Sequence, residues 1–195
     1  KGYCPSLWRP MASGDGLIVR VRASSEWLKA DLLRAVARLA AEHAAGLELT
    51  RRANLQLRGL NAEAVEHLQR ELVQLALADA DPAVEQRPAV LVDPRSGLHA
   101  AHADLTQLAA ALDSELRDRA GQLDWPSKFA IALLGHPQAL PRMFADVRVV
   151  VMQQPEFAHV SVAGDARSAA SVGVFRQLDV PSIVWTIIRS RAGGA

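Results

Sequence analysis

The sequence predicts an α+β fold, in which a ferredoxin-like β-α-β-β-α-β module is followed by an α+β domain with a mostly antiparallel sheet. Short apolar stretches with period-two alternation predict the strands, and longer stretches with a 3.6-residue apolar period predict the helices. The Asp-Pro-Arg-Ser-Gly segment at residues 93–97 is a strong break, which divides the chain into residues 1–93 and 94–195. With 195 residues and 50% hydrophobic side chains, the chain can bury a sizeable core.

The first module opens on a strand with two distinct faces. Residues 16–22 place apolar side chains on one face, while Arg20 and Arg22 share the other, which is the pattern of a half-buried strand. Leucine and valine recur at helical spacing over residues 26–45, and this spacing predicts an amphipathic helix. The predicted caps of this helix are Ser24 or Ser25 at its start and Gly46 at its end.

A hairpin, a second helix and a fourth strand complete the module. Residues 47–50 and 54–58 alternate, and they predict two strands joined by residues 51–53. Asn61 is a typical N-cap for the helix that follows. Residues 89–92 predict the last strand of the module.

The second domain is predicted to begin with a helix that Asp104 caps and Gly121 ends. Apolar, β-rich stretches follow it and predict a sheet. The predicted elements are strands at residues 129–134, 147–152 and 159–163, a helix within 166–178, and a further strand at 182–188.

Charge is distributed unevenly along the chain. The formal net charge is only +1, which excludes the strong global field by which many nucleic-acid and membrane binders attract their partners. Residues 1–60 contain ten Lys and Arg against five Asp and Glu, a local charge of +5, and the remainder carries −4. An anionic ligand is therefore expected on the N-terminal part.

Redox and metal chemistry find little support in the residues. Cys4 is the one cysteine, so no intrachain disulfide can form, and an iron–sulfur cluster usually needs four thiolates. His99 and His102 have the spacing of a metal-ligand pair, but a polar approach to the helix at Asp104 is the favoured interpretation, and no metal site is predicted. The sequence shows no transmembrane-length apolar run and no signal peptide, so a cytoplasmic protein is expected.

Three stretches resemble one protein family. Residues 4–22, Cys-Pro-Ser-Leu-Trp-Arg-Pro-Met-Ala-Ser-Gly-Asp-Gly-Leu-Ile-Val-Arg-Val-Arg, look like the opening of precorrin-3B synthases. Residues 49–59, Leu-Thr-Arg-Arg-Ala-Asn-Leu-Gln-Leu-Arg-Gly, are similar to the Thr-x-Arg-x-x-x-Gln signature that these enzymes share with nitrite and sulfite reductases. Residues 125–132, Trp-Pro-Ser-Lys-Phe-Ala-Ile-Ala, resemble the Leu-Pro-x-Lys-Phe segment of the same superfamily. Their order and spacing agree with the first half of the family, to about residue 165.

The resemblance implies a role in tetrapyrrole chemistry. The expected function is the tetrapyrrole-binding half of a precorrin-3B synthase-like oxidoreductase of cobalamin biosynthesis, which converts precorrin-3A to precorrin-3B with O2. The family uses an iron–sulfur cluster and a tetrapyrrole, either siroheme or the precorrin substrate. Its cluster cysteines lie in its second half, so this chain alone is expected to bind no cofactor of its own. The alternatives are a siroheme-dependent nitrite or sulfite reductase half, or a non-catalytic tetrapyrrole-binding subunit.

The resemblance also implies a set of anion-binding residues. The family's anion-contacting arginines correspond to Arg20 and Arg52 of this chain, and its first lysine corresponds to Lys128. The neighbouring arginines and the signature glutamine are candidate helpers. Arginine suits such a site because its planar fork can bind a carboxylate through two hydrogen bonds. The alternative from the residues alone is a solvated, charged sheet face without a ligand. The candidate tetrapyrrole-binding residues are Arg20, Arg22, Arg51, Arg52, Gln56, Arg58 and Lys128.

Two further expectations follow from the family pattern. The reductases carry a second lysine two residues after the first, where this chain has Ala130, so reduction of sulfite or nitrite is disfavoured. Because the resemblance covers only the family's first half, we expect a homodimer or a partner chain that supplies the second half. Neither nucleic acid nor membrane is an expected partner.

Overall fold

The computed structural model describes residues 3–22, 28–122, 124–125 and 128–192. The chain divides into two compact units, Lys1–Gln86 and Arg87–Ala195. Both units combine helices with a sheet, so the predicted α+β class is confirmed. No helix among the described residues is both long enough and apolar enough to cross a membrane.

The first unit is a four-stranded antiparallel sheet in the order β1-β2-β4-β3. Two amphipathic helices cover its inner face, where Val19, Val21 and Leu57 pack with Val36 and Leu68 in one core. The opposite face of the sheet, called the outer face below, carries most of its polar side chains. The elements are β1 (Met11–Ser13), β2 (Gly16–Val21), α1 (Ala30–Glu42), β3 (Gly46–Leu49), β4 (Leu55–Leu60), α2 (Ala62–Gln74) and the short α3 (Pro82–Glu85).

The ends of the two long helices differ from each other in how closely they follow the prediction. Asn61 caps α2 as predicted, since its Oδ1 accepts a hydrogen bond of 2.8 Å from Ala64 N. The chain leaves α1 through Ala44, which has a φ of 49°, so Gly46 starts β3 instead of capping the helix. The predicted caps at the start of α1, Ser24 and Ser25, lie outside the described residues.

A β-bulge decides which β4 side chains reach the outer face. Leu17 pairs with Leu60 and Val19 with Leu57, so two residues of β4, Arg58 and Gly59, lie opposite one residue of β2. Gly59 has a φ of +79°, a backbone conformation that glycine adopts without steric cost. The extra residue lets Leu57 and Leu60 both point inward while Arg58 stays on the outer face.

The second unit is a five-stranded sheet in the order β5-β6-β7-β8-β9. The pairings β5–β6 and β6–β7 are parallel, whereas β7–β8 and β8–β9 are antiparallel. The sheet is therefore mixed, where the sequence predicted a mostly antiparallel one. The elements are β5 (Ala89–Val92), α4 (Thr106–Asp118), β6 (Ala130–Leu134), β7 (Ala145–Val151), β8 (Phe157–Gly164), β9 (Ala170–Arg176) and α5 (Val180–Ala192).

The strand at residues 89–92 corrects the predicted composition of the first module. It pairs in parallel with β6 and belongs to the second sheet, and the boundary between the units falls between Gln86 and Arg87. The fourth strand of the first sheet is instead β1, which pairs with β2. A parallel partner far along the chain leaves no local trace in an apolar run of four residues.

Two predicted elements near the C-terminus have the wrong type of secondary structure. Residues 170–176, predicted as helix, form β9, and residues 182–188, predicted as strand, lie in α5. Val180, Val184 and Ile188 are fully buried at a spacing of four residues, which is a helical stripe. Packing of this stripe on the core outweighs the β propensity of its branched residues.

Candidate functional site

Three polar side chains form a row across the outer face of the first sheet. Arg20, Gln56 and Glu48 lie at paired positions of β2, β4 and β3. Arg20 Nη2 donates to Gln56 Oε1 at 3.0 Å, and Gln56 Nε2 donates to Glu48 Oε2 at 2.9 Å. The amide of Gln56 therefore orients both its neighbours.

Arg20 is unusual among the arginines of this face. Its Nε atom is buried and has no hydrogen-bond partner among the described residues. Its Nη2 donates to the neutral amide of Gln56, and no ion pair joins it to a carboxylate of the part that the structure describes. A buried, unsatisfied donor of a cation is costly, so this guanidinium is suited to receive a carboxylate.

Arg58 is already neutralised by two carboxylates. Its Nε and Nη2 donate to the two oxygens of Asp15 at 2.6 Å and 3.2 Å, and its Nη1 donates to Glu48 Oε1 at 3.1 Å. The hydrogen bond from Arg58 lowers the pKa of Asp15 to about 2. Asp15 and Glu48 were not among the predicted site residues, although the alternation of residues 47–50 places Glu48 beside Gln56.

Arg22 is engaged with the short helix α3. Its Nη2 donates to the carbonyl oxygen of Glu85, and its Nε lies 3.9 Å from Glu85 Oε1. The Glu85 side chain is buried and also accepts a hydrogen bond from Asp79 N. Through these contacts, Arg22 connects the end of β2 to α3.

Arg51 and Arg52 lie in the turn between β3 and β4, and both are exposed. Ala53 completes the turn with a φ of 56°. Thr50 and Asn54 close it, since Asn54 N donates to Thr50 Oγ1 at 3.1 Å and Thr50 N donates to the carbonyl oxygen of Asn54 at 2.9 Å. Thr50 and Asn54 therefore serve the turn, and they present the two arginines at its tip.

Lys128 belongs to the second unit. It is exposed and has a φ of 66°, directly before the buried strand β6. Ala130, two residues later, is fully buried, and its N–H donates to Asp146 Oδ2 at 2.8 Å. A lysine at position 130 would place a charged side chain at a buried position of the strand.

The two histidines considered as metal ligands lie side by side in the structure, with their ring centroids 5.4 Å apart. His102 is buried, and its Nδ1 lies 2.6 Å from Asp93 Oδ2, while His99 is exposed. No group of three or more metal-ligating side chains occurs among the described residues. His102 therefore has a buried carboxylate as its hydrogen-bond partner.

The outer face of the first sheet could hold an anionic group, whereas this chain lacks the thiolates of an iron–sulfur cluster. Arg20, with its unsatisfied Nε, can take a peripheral carboxylate, and the exposed arginines at the hairpin tip add positive charge. Cys4 is the one cysteine of the chain and is exposed. A cluster with four thiolates would need ligands from outside these 195 residues.

Comparisons with known proteins agree with the fold of the chain. Residues 9–75 match the nitrite/sulfite reductase ferredoxin-like half domain. The chain is 34% identical over 197 residues to a precorrin-3B synthase of Sinorhizobium sp., and the match covers 98% of this chain and 42% of that protein. The structure of the Mycobacterium tuberculosis NirA protein is similar with a TM-score of 0.69 and 21% identity, over 88% of this chain and 33% of that one. The chain thus spans less than half the length of either relative.

Proposed function

We propose that this chain, which belongs to the nitrite/sulfite reductase superfamily, is the tetrapyrrole-binding half of a precorrin-3B synthase-like oxidoreductase of cobalamin biosynthesis. It corresponds to the first half of a precorrin-3B synthase. The observation that carries the proposal is Arg20, a guanidinium with a buried, unsatisfied Nε on the outer face of the ferredoxin-like half domain. The reaction proposed for the whole protein is the O2-dependent conversion of precorrin-3A to precorrin-3B.

The role proposed for this chain is to hold and orient the substrate. Arg20 binds one peripheral carboxylate, and Gln56 keeps its guanidinium in place through the bond to Nη2. Arg51 and Arg52 draw further carboxylates to the hairpin tip, while Arg58 keeps the outer face ordered through Asp15 and Glu48. An iron–sulfur cluster, when bound by the complete protein, supplies electrons.

Binding of a polycarboxylate porphyrin by the purified chain tests this proposal. Uroporphyrin fluorescence is titrated at low and high salt with the parent chain, R20A and R52A. Each charge-assisted hydrogen bond contributes about 1.5–3 kcal/mol, so R20A should weaken binding at least about tenfold, and salt should weaken it further. R34A is the matched control because Arg34 is an exposed arginine of α1, the helix on the inner face. Equal affinities of R20A and R34A would reject the site.

A siroheme-dependent nitrite or sulfite reductase half is the second candidate. The half-domain match over residues 9–75 favours it, while the buried Ala130 at the place of the second lysine stands against it. A siroheme absorption spectrum in the purified complete protein would decide for this candidate. A chain that binds the porphyrin and supports no turnover with any second half would instead be a non-catalytic subunit.

The partner proposed for the first unit is a second homologous half, in the form of another copy or of a separate chain. Strand β3 supports this proposal because it lies at the edge of the first sheet, where no further strand of the described part pairs with its backbone. Leu49 on this strand is 73% exposed. Light scattering of the purified chain tests the homodimer. A monomer of 21.0 kDa at high concentration would exclude the homodimer and leave the separate chain.

A further inference from the structure

A buried arginine that was not among the predicted anion-binding residues lies in the second unit. Arg148 is in β7 and only 2% exposed, which makes it one of the largest fully buried side chains of the protein. It points to the sheet face opposite α4 and α5, since its neighbours Val147 and Val149 pack with those helices. Its Nη1 donates a hydrogen bond to the carbonyl oxygen of Met143 at 2.8 Å.

The charge of Arg148 has no direct counter-ion. No carboxylate oxygen of the described residues forms an ion pair with it, although Asp165 is near enough to favour its charged form. Asp165 is itself occupied, because its Oδ1 accepts hydrogen bonds from Arg167 N, Ser168 N and Ser168 Oγ. Burial lowers the pKa of Arg148, which reflects the unfavourable desolvation of the cation. A buried cation without an ion-pair partner indicates that an anion is missing.

Arg148 lines a cleft of about 580 Å³ on this face of the second sheet. That volume is within the range of small-molecule sites, which is about 300–1,000 Å³. Ser161, the register partner of Arg148 on β8, adds a buried hydroxyl, and His159 adds a ring that is hydrogen-bonded to Ser171 Oγ at 2.8 Å. The rest of the lining is largely apolar and includes Val150, Met152, Ala166 and Ala169.

We propose that this cleft is a binding site for an organic monocarboxylate with an apolar body, whose carboxylate pairs with Arg148. A planar carboxylate matches the guanidinium fork. The nearby charge of Asp165 disfavours a dianion such as phosphate, because a second negative charge would face it without a second cation. Val150 and Met152 accept the apolar part of the ligand. The site lies wholly within the second unit and does not depend on tetrapyrrole binding by the first.

Benzoate binding to the full chain tests the proposal, with benzamide as the neutral isostere and inorganic phosphate as the dianion. Calorimetry should show benzoate binding that R148M weakens by at least tenfold, while benzamide and phosphate bind at least tenfold more weakly to the parent chain. Circular dichroism of R148M establishes that the variant is folded. Equal binding of benzoate and benzamide, or of benzoate to parent and R148M, would overturn the proposal.

D165N provides a second measurement if R148M does not fold. Asparagine keeps the Oδ1 acceptor that holds Arg167 N and Ser168 N, and it removes the negative charge near Arg148. Benzoate should therefore bind D165N severalfold more tightly than the parent chain, and an unchanged or weaker affinity would count against the site. R20A should leave benzoate binding unchanged, so a failure of the porphyrin proposal and a failure of this one remain distinguishable.

Discussion

Arg58 and Asp15 form a bidentate ion pair on the outer face of the first sheet. Arg58 Nε donates to Asp15 Oδ2 at 2.6 Å, and Nη2 donates to Oδ1 at 3.2 Å. The two residues are 43 positions apart in the sequence. The bulge at Gly59 directs the Arg58 side chain toward the turn before β2, where Asp15 lies. The guanidinium is thus committed to carboxylates of the protein itself, and Arg20 is left as the candidate for a ligand.

The first prediction concerns the pKa of Asp15, which the hydrogen bond from Arg58 lowers to about 2. An R58M variant should return this pKa toward the ordinary value of about 3.9, as measured by an NMR titration of the side-chain carboxyl. Because the folded pKa is depressed, the pair stabilises the fold above the unfolded pKa, and this contribution is lost as pH falls from about 4 to about 2. R34M should leave the Asp15 titration unchanged, and a shift as large as that of R58M would contradict the assignment.

The second prediction concerns Gln56, which connects Arg20 to Glu48. Q56E places a carboxylate beside Arg20 and neutralises it within the protein. Uroporphyrin binding should therefore weaken by about tenfold, the effect of roughly 1.4 kcal/mol. Q56M removes the same hydrogen bonds without adding charge and should weaken binding less. If Q56M and Q56E lose the same affinity, the availability of the Arg20 charge does not control binding.

Sequence periodicity predicted the two long helices and the strands β2, β3 and β4 of the first unit, because their signals are local. The alternation of residues 16–22 predicted that Arg20 lies opposite the apolar face of β2, as the structure shows. The cap at Asn61 and the hairpin turn were read from residues adjacent in the chain. The contact of Arg22 with Glu85 could not be read in this way, since 63 residues separate the two and a four-residue helix carries almost no periodic signal.

The second unit was predicted less well because tertiary packing decides its elements. The stretch around Val184 and Ile188 is rich in β-branched residues, yet its buried stripe has helical spacing. In β9, Val172 and Val174 are 44% and 52% exposed, so no buried face marked this strand in the sequence. The buried Arg148 was missed for a similar reason, since an arginine within an apolar stretch gives no sign that it faces a cleft.

The third prediction concerns the buried pair of Arg87 and Asp113. Arg87 is 6% exposed, and its Nε and Nη2 donate to Asp113 Oδ1 and Oδ2 at 2.9 Å and 3.3 Å. Burial alone would raise the pKa of Asp113, but the hydrogen bonds and charges of Arg87 and Arg117 together outweigh it and lower the pKa. D113L leaves a buried cation without this partner, so the free energy of unfolding of the second unit should fall by roughly 2–4 kcal/mol in urea denaturation. D118L, at an exposed position of the same helix, should change it by less than about 0.5 kcal/mol.

Asp93 joins the ends of two parallel strands and supplies the last prediction. It is 2% exposed and follows β5, and its Oδ2 lies 2.6 Å from His102 Nδ1 and accepts a hydrogen bond of 3.2 Å from Gly135 N, directly after β6. Its Oδ1 accepts a further hydrogen bond from Arg95 N at 3.0 Å. Burial would raise the pKa of Asp93, but these hydrogen bonds outweigh it and lower the pKa. The stabilisation is therefore present above the unfolded pKa and is lost as pH falls through the folded one.

D93A removes every one of these acceptors and leaves the N–H groups of Gly135 and His102 buried without them. Each such group costs about 1–3 kcal/mol, so the free energy of unfolding should fall by roughly 2–4 kcal/mol at neutral pH, and the loss should shrink in acid as the parent Asp93 becomes protonated. D104A is the matched control, because Asp104 is exposed and the change removes the hydrogen bond that its Oδ1 accepts from Thr106 N. This variant should lower the free energy of unfolding by about 1 kcal/mol or less. A D93A protein as stable as D104A would show that the carboxylate does not hold the two strand ends together.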